Sequence, residues 1–122
     1  MMSEKKKDWL ALVGRIFIAA LFILAGYGKI GGFDGTVAYA ASVGLPFPEV
    51  AVVIAIIIEL LGGLMLLVGF QTRWTALVLA VFTVITAFYF HMNFGDQTQM
   101  VMFLKNFAIA GGLLFVKALG AG

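Results

Sequence analysis

Three long apolar stretches of this chain are each interrupted by one fully charged side chain, and the three interruptions are Arg15, Glu59 and Lys105. A fourth apolar stretch ends on His91, the only histidine present. An ionisable group at the centre of a membrane helix costs about 2.5–3.5 kcal/mol, so such a group is retained where it faces a polar partner or water. We therefore predict that these side chains meet inside a helical membrane bundle.

The chemistry that such a set supports is acid–base chemistry beside fixed positive charge. A carboxylate or imidazole exchanges protons, and an ammonium or guanidinium stabilises negative charge on an oxygen. The candidate ligand-binding or proton-relay residues are Arg15, Lys29, Glu59, His91, Lys105 and Asn106. No metal site is predicted, because one histidine and no cysteine cannot complete a zinc, copper or haem ligand set. Catalysis by this chain alone is not predicted either, since no nucleophilic triad, phosphate loop or dinucleotide fingerprint is visible.

The composition indicates a membrane protein. Hydrophobic residues make up 63% of the chain, charged residues make up 11%, and the mean hydropathy is +1.11. The net charge of +2 does not indicate a nucleic-acid partner, because the run Lys5, Lys6 and Lys7 is better explained as a topology signal. With no cysteine, the chain has no thiol couple, so electrons in any redox reaction must pass through a bound cofactor or a partner.

Four membrane spans of about 20 residues would occupy most of a 122-residue chain, so we assign residues 1–122 to one transmembrane domain. The predicted spans cover residues 9–29, 50–69, 74–91 and 100–118. The very short connection between the second and third spans forces antiparallel neighbours. The predicted fold is all-α, an antiparallel four-helix transmembrane bundle. A short outer-face helix over 36–43, with Asp34 as its N-cap, is expected between spans one and two.

The placement of lysine and arginine predicts the orientation in the bilayer. One side would hold Lys5, Lys6, Lys7, Arg73 and Lys117. The positive-inside rule then places both termini in the cytoplasm of a plasma or inner membrane.

Depth along the helices predicts which charged groups can pair. At about 1.5 Å per residue, Glu59 lies within reach of Arg15 from one side, of Lys105 from the other, or of both. Lys29, His91 and Asn106 would form a more exposed outer tier. Simpler interpretations stay open: Arg15 can reach the cytoplasmic surface along its own side chain, Lys29 and His91 can be interfacial residues, and the pairing of Glu59 can be a structural clasp.

A set of polar and glycine-rich elements recurs in a distinctive order over nearly the whole chain. In chain order they are Arg15, Gly26-Tyr27-Gly28-Lys29-Ile30, Gly44-Leu45-Pro46, Glu59-Leu60-Leu61-Gly62-Gly63, Leu67-Val68-Gly69, Thr72-Arg73, His91, Lys105-Asn106-Phe107-Ala108 and Gly111-Gly112-Leu113-Leu114. This order resembles the DoxX family of small four-helix membrane proteins. The resemblance implies a link to membrane redox complexes, because the family takes its name from a small subunit associated with quinone-linked thiosulfate oxidation and a terminal quinol oxidase. It points to the same six polar positions.

Three functional hypotheses follow. The first is a membrane subunit of a quinone-linked oxidoreductase or respiratory complex, with a quinone headgroup bound near Glu59. The second is a non-enzymatic assembly or anchoring subunit that packs laterally on other membrane protein subunits. The third is a carrier for a small anion, because Arg15, Lys29 and Lys105 outnumber the internal carboxylates. The partners in all three are the lipid bilayer and other membrane components, and no intrinsic cofactor other than a quinone is expected.

Overall fold

The computed structural model describes residues 3–90 and 97–119, and these residues form five helices without a strand. The helices are α1 (Glu4–Gly31), α2 (Phe33–Ser42), α3 (Pro48–Val68), α4 (Thr72–Phe90) and α5 (Gln97–Leu119). Four of them, α1, α3, α4 and α5, are long and apolar enough to cross a membrane. The all-α prediction with four membrane helices is confirmed. His91, which the sequence places at the end of the third span, lies outside the described residues.

The short helix expected between the first two spans is α2, and it begins earlier than predicted. Gly32 interrupts α1 and serves as the N-cap of α2 without a side-chain hydrogen bond. Asp34 therefore lies in the first turn of α2 and is not its N-cap. Thr36 donates from both its backbone N–H and its hydroxyl to the carbonyl of Gly32, each at 2.9 Å. These bonds form the first turn of α2 immediately after the end of α1.

The turn between α3 and α4 depends on a glycine. Gly69 adopts a positive φ of 78°, which a residue with a Cβ rarely tolerates. The N–H groups of Gly69 and Phe70 return to the carbonyls of Leu66 and Met65 at 3.3 and 3.0 Å, as in a Schellman motif. The motif ends α3 sharply, so α4 starts after three residues and runs back beside it.

The spans associate as two pairs. Helix α1 packs most extensively on α3, and α4 packs most extensively on α5. The pairs meet through smaller contacts of α3 with α4 and of α1 with α5, while α2 lies mainly on α3. The ammonium of Lys117 lies 4.1 Å from the ring centroid of Trp74, so the end of α5 and the start of α4 share one end of the bundle. We call this the terminal end and the opposite one the α2 end.

The largest buried apolar side chains, Leu66, Leu79 and Leu113, lie in the terminal half. We call the buried apolar cluster there the terminal core, and its members are Ala19, Phe22, Leu66, Ala76, Leu79, Ala80, Ala110 and Leu113. Every spanning helix contributes to it. A Cβ added at Gly62 would lie 3.0 Å from Cδ2 of Leu79, so the two helix pairs touch at that point. The terminal core thus closes one half of the bundle.

Helices α1 and α3 approach so closely that glycine is needed at two positions. A Cβ at Gly63 would lie 3.1 Å from the carbonyl oxygen of Ala19, and a Cβ at Gly26 would lie 3.2 Å from the backbone nitrogen of Leu60. Small residues permit this kind of backbone contact between membrane helices. The contacts also set the register of the pair: residue 26 faces residue 60, and residue 63 faces the turn at 19–23.

Candidate functional site

The α1–α3 register brings Lys29 and Glu59 together. Glu59 lies near the middle of α3, and its side chain is 5% exposed. Lys29 lies in the last turn of α1, and its side chain is 31% exposed. The ammonium Nζ of Lys29 lies 2.7 Å from Oε1 of Glu59. Oε1 accepts no hydrogen bond of regular geometry from the described residues, so the contact is chiefly electrostatic. The prediction of an internal cationic partner for Glu59 is right, but the partner differs from the predicted ones.

Arg15 does not reach Glu59, and that part of the prediction is wrong. Its side chain is buried, with the residue 8% exposed, and a Cβ added at Gly69 would lie 3.5 Å from its Nη2. Gly69 follows Glu59 by ten residues, which is about 15 Å along a helix. The guanidinium instead stands at the carboxyl end of α3, where a cation is stabilised by the exposed carbonyls and the helix dipole.

The error has a physical cause. Depth counted from the terminal end of each apolar stretch assumes that the start of the first span and the end of the second lie at the same level. In the structure α1 has 28 residues and α3 has 21, and the close contacts at Gly26 and Gly63 slide α1 toward the terminal end. Arg15 therefore lies beside the end of α3, and Lys29 lies at the same level as Glu59. Lys29 is an internal ion-pair partner and not only an interfacial anchor.

Asn106 joins the second helix pair. Its Nδ2 donates to the backbone carbonyl of Thr83 and to Oγ1 of Thr86, both at 3.3 Å. Thr83 and Thr86 in turn donate their hydroxyls to the carbonyls of Leu79 and Thr83 along α4. The side chain is half-buried and clasps α5 to α4.

Lys105 is exposed and has no ion pair or hydrogen bond in the part of the chain that the structure describes. It does not pair with Glu59, so this alternative is also wrong. Lys105 nevertheless lines the same cavity as Lys29, Glu59 and Asn106. His91 falls outside the described residues, and its predicted role stays a prediction.

The cavity occupies the α2 half of the bundle and has a volume of about 550 Å³. All five helices contribute to its wall, which is mostly apolar. Phe22, Phe82 and Ile109 line it where it meets the terminal core. The polar groups along its wall are those of Lys29, Thr36, Tyr39, Glu59, Thr83, Thr86, Tyr89, Lys105 and Asn106. Four of the six sequence-predicted residues thus share one cavity, and Arg15 stands apart from it.

Tyr39 and Tyr89 are cavity residues that the sequence prediction missed. Tyr39 belongs to α2, whose position over the cavity follows from its packing on α3. Tyr89 lies two residues before His91. A helical wheel of the third span could have placed it on the same face as Ile85 and Thr86, which also line the cavity. Both phenols can donate hydrogen bonds to a ligand oxygen.

The arrangement supports proton exchange and stabilisation of negative charge in an apolar surrounding. It combines one carboxylate, two ammonium groups and several hydroxyls. Among residues 3–90 and 97–119 no three His, Cys, Asp or Glu side chains lie together as metal ligands would.

Comparison with known proteins gives a consistent family match. The DoxX family model matches residues 10–92. The inner membrane protein YqjF of Escherichia coli strain K12 is 45% identical over 119 residues, which cover 98% of this chain and 90% of YqjF. The inner membrane protein YphA of the same strain is 38% identical over 119 residues, covering 93% of this chain and 84% of YphA. No solved structure matches the chain.

Proposed function

The chain belongs to the DoxX family and is a multi-pass inner membrane protein, and from that premise we propose that it is a small membrane subunit of a quinone-linked oxidoreductase. In this proposal the quinone headgroup binds in the cavity of the α2 half. The observation that carries it is the cavity itself: its walls are apolar and come from all five helices, while the Lys29–Glu59 ion pair and Lys105 stand in it.

The size and lining of the cavity fit such a ligand. Binding sites for small molecules commonly have volumes of roughly 300–1,000 Å³, apolar walls and a few placed polar groups. The cavity of about 550 Å³ lies within that range. The buried Oε1 of Glu59 has its counter-ion at 2.7 Å but accepts no regular hydrogen bond from the described residues. It therefore retains the capacity to accept a hydrogen bond from a ligand.

A bound quinone would supply two-electron redox chemistry coupled to the uptake of two protons. The ammonium groups of Lys29 and Lys105 stabilise negative charge at a ring oxygen. Glu59 holds or passes a proton, and Lys29 orients its carboxylate. Tyr89 and Asn106 give the cavity further polar groups for positioning a ring.

The electrons would come from a partner subunit, since the chain has no cysteine couple of its own. A chain with four apolar helices and short connections would meet such a partner by lateral packing in the bilayer. We also propose that both termini lie in the cytoplasm. The gathering of Lys5, Lys6, Lys7, Arg73 and Lys117 toward one side supports this orientation. The cavity would then lie in the outer half of the membrane.

Binding of a quinone analogue to the purified full-length chain in lipid nanodiscs tests the proposal. Glu59→Gln should weaken binding about tenfold, which is the expected cost of losing one charged hydrogen-bonding group. Glu49→Gln is the matched control, because Glu49 is exposed in the first turn of the same helix, and it should leave affinity unchanged. Absence of binding to the unmodified chain, or equal effects of the two substitutions, would contradict the proposal.

The alternative is a non-enzymatic assembly subunit. It is favoured by Asn106, whose amide clasps α5 to α4, and by Arg15, which lies against the end of α3 and away from Glu59. In that case Glu59→Gln should lower the yield of the assembled complex while the intrinsic turnover of the partner stays constant. Mass spectrometry of the complex purified in gentle detergent would identify its subunits and lipophilic ligands.

A further inference from the structure

The contact between α1 and α5 closes only the terminal half of their seam. A Cβ added at Gly112 would lie 3.7 Å from Cδ1 of Ile18, so the two helices touch at this level. Lys105 precedes Gly112 by seven residues, two helical turns, and so lies on the same side of α5 but nearer the α2 end. Lys105 therefore lies beside the part of the α1–α5 seam that is nearer the α2 end.

Between this contact and the α2 end, some side chains that line the cavity are also exposed on the outer surface of the bundle. Leu21 of α1 lies one turn beyond Ile18, lines the cavity and is 45% exposed. Met102 of α5 lies one turn beyond Lys105, lines the cavity and is 38% exposed. Exposed lining residues also occur on other walls of the cavity, at Tyr39, Ile85 and Tyr89. Helices α1 and α5, however, make the smallest contact of any two neighbouring spans, so the opening lies along their seam. This opening faces the acyl chains of the bilayer.

Lys105 carries a positive charge within an apolar span. It follows the start of α5 by eight residues, about 12 Å along the helix, within an apolar span. The carboxylate nearest in the cavity, that of Glu59, is already paired with Lys29. Two ammonium groups and one carboxylate leave the described cavity wall with an excess of positive charge.

We propose that ligands reach the cavity laterally from the bilayer between α1 and α5, and that Lys105 at this opening selects lipophilic rings that carry a negatively charged oxygen. The inference deepens the proposed function and rests on it. Lys105 is here a specificity-determining residue: the apolar tail of the ligand passes between Leu21 and Met102, and its anionic oxygen meets the ammonium.

A matched pair of ligands separates charge from shape. A 2-hydroxy-3-alkyl-1,4-naphthoquinone is anionic at neutral pH, whereas its methyl ether has nearly the same shape and no charge. In nanodiscs of neutral lipid the unmodified chain should bind the hydroxy form about tenfold more tightly. Lys105→Gln should reduce that ratio to about one.

Lys117→Gln is the control, because Lys117 lies on the same helix but over Trp74 at the terminal end. It should preserve the ratio. Equal affinity of the unmodified chain for the two ligands would overturn the inference, and so would an affinity ratio that Lys105→Gln leaves unchanged. In either case, binding of the methyl ether would still uphold the proposed function. If neither ligand binds, the proposed function fails as well. Thermal unfolding of each variant shows whether it retains the fold.

The route is tested with the same ring carrying a diazirine at the end of its alkyl tail. After illumination, mass spectrometry should find adducts near Leu21 and Met102, and Lys105→Gln should reduce them. Leu24 provides the internal reference, because it is 68% exposed on α1 but does not line the cavity. Adducts that are as frequent at Leu24 as at Leu21 would show undirected contact with lipid-dissolved ligand and would overturn lateral access.

Discussion

The terminal half and the α2 half of the bundle are made from the same four spanning helices, but they are filled differently. In the terminal half, Leu66, Leu79 and Leu113 are fully buried among alanines, and Gly62 lets the two helix pairs touch. In the α2 half the same pairs stand apart around a cavity of about 550 Å³ that carries the polar groups. One half holds the pairs together, and the other leaves room for a ligand.

This contrast shows how a small membrane protein can keep a polar cavity. Lipid tails are as apolar as leucine, so association of membrane helices depends on close packing and interhelical polar contacts. The terminal core supplies the close packing, and Arg15 at the end of α3 adds a polar contact at that level. The α2 half can then keep an unfilled cavity, since apolar packing of the spans is supplied at the terminal end, while the Lys29–Glu59 pair satisfies the buried carboxylate there.

Removing one partner of the Lys29–Glu59 ion pair should have the largest effect on the free energy of unfolding. Lys29→Met leaves the carboxylate of Glu59 buried without its cation and should lower the free energy of unfolding by about 3–5 kcal/mol. Thermal or denaturant unfolding in detergent measures this change. The double variant Lys29→Met/Glu59→Gln removes both charges and should recover most of the loss. A double variant no more stable than Lys29→Met would show that the pair is not the cause.

Close packing in the terminal half should show the next largest effect. Gly63→Ala places a Cβ 2.8 Å from Cγ1 of Ile23 and 3.1 Å from the Ala19 carbonyl, which should cost about 1–3 kcal/mol of unfolding free energy. Gly111→Ala is the control, because a Cβ there meets nothing within 4 Å. It should be neutral or slightly stabilising through helix propensity. Equal melting temperatures for the two variants would show that the close approach of α1 and α3 at Gly63 does not limit stability.

The clasp of the second pair should give the smallest effect. Asn106→Leu removes the bonds to Thr83 and Thr86 and should cost about 0.6–1.7 kcal/mol, as interhelical hydrogen bonds in membranes do. The same unfolding measurement checks it, with Thr86→Val removing one of the two bonds and costing less. A loss as large as that of Lys29→Met would contradict the expectation that the Asn106 clasp contributes less to stability than the buried ion pair.

Much of the fold and of the candidate site can be predicted from the sequence, because insertion into a membrane constrains helix length and the placement of charge. Span length, charge scarcity and the short 69–71 connection predicted the four antiparallel spanning helices. Four predicted site residues share the cavity, since a polar group in an apolar span has few places to face. The partner of Glu59 was missed because the axial offset between α1 and α3 depends on where glycines allow backbone contact, and counting residues from span ends cannot reveal it.

Residue types and their spacing are enough to establish that the chain is an all-helical membrane protein and that Glu59 needs a cation, because a carboxylate in hydrocarbon is costly wherever the helix stands. The identity of that cation follows only from how the helices pack. Helix packing also decided that Arg15 belongs to the end of α3, and that Lys105 shares a cavity with the Lys29–Glu59 pair. The physical reason is that helix offset and the separation of the two pairs arise from side-chain packing between distant segments, which no local pattern records.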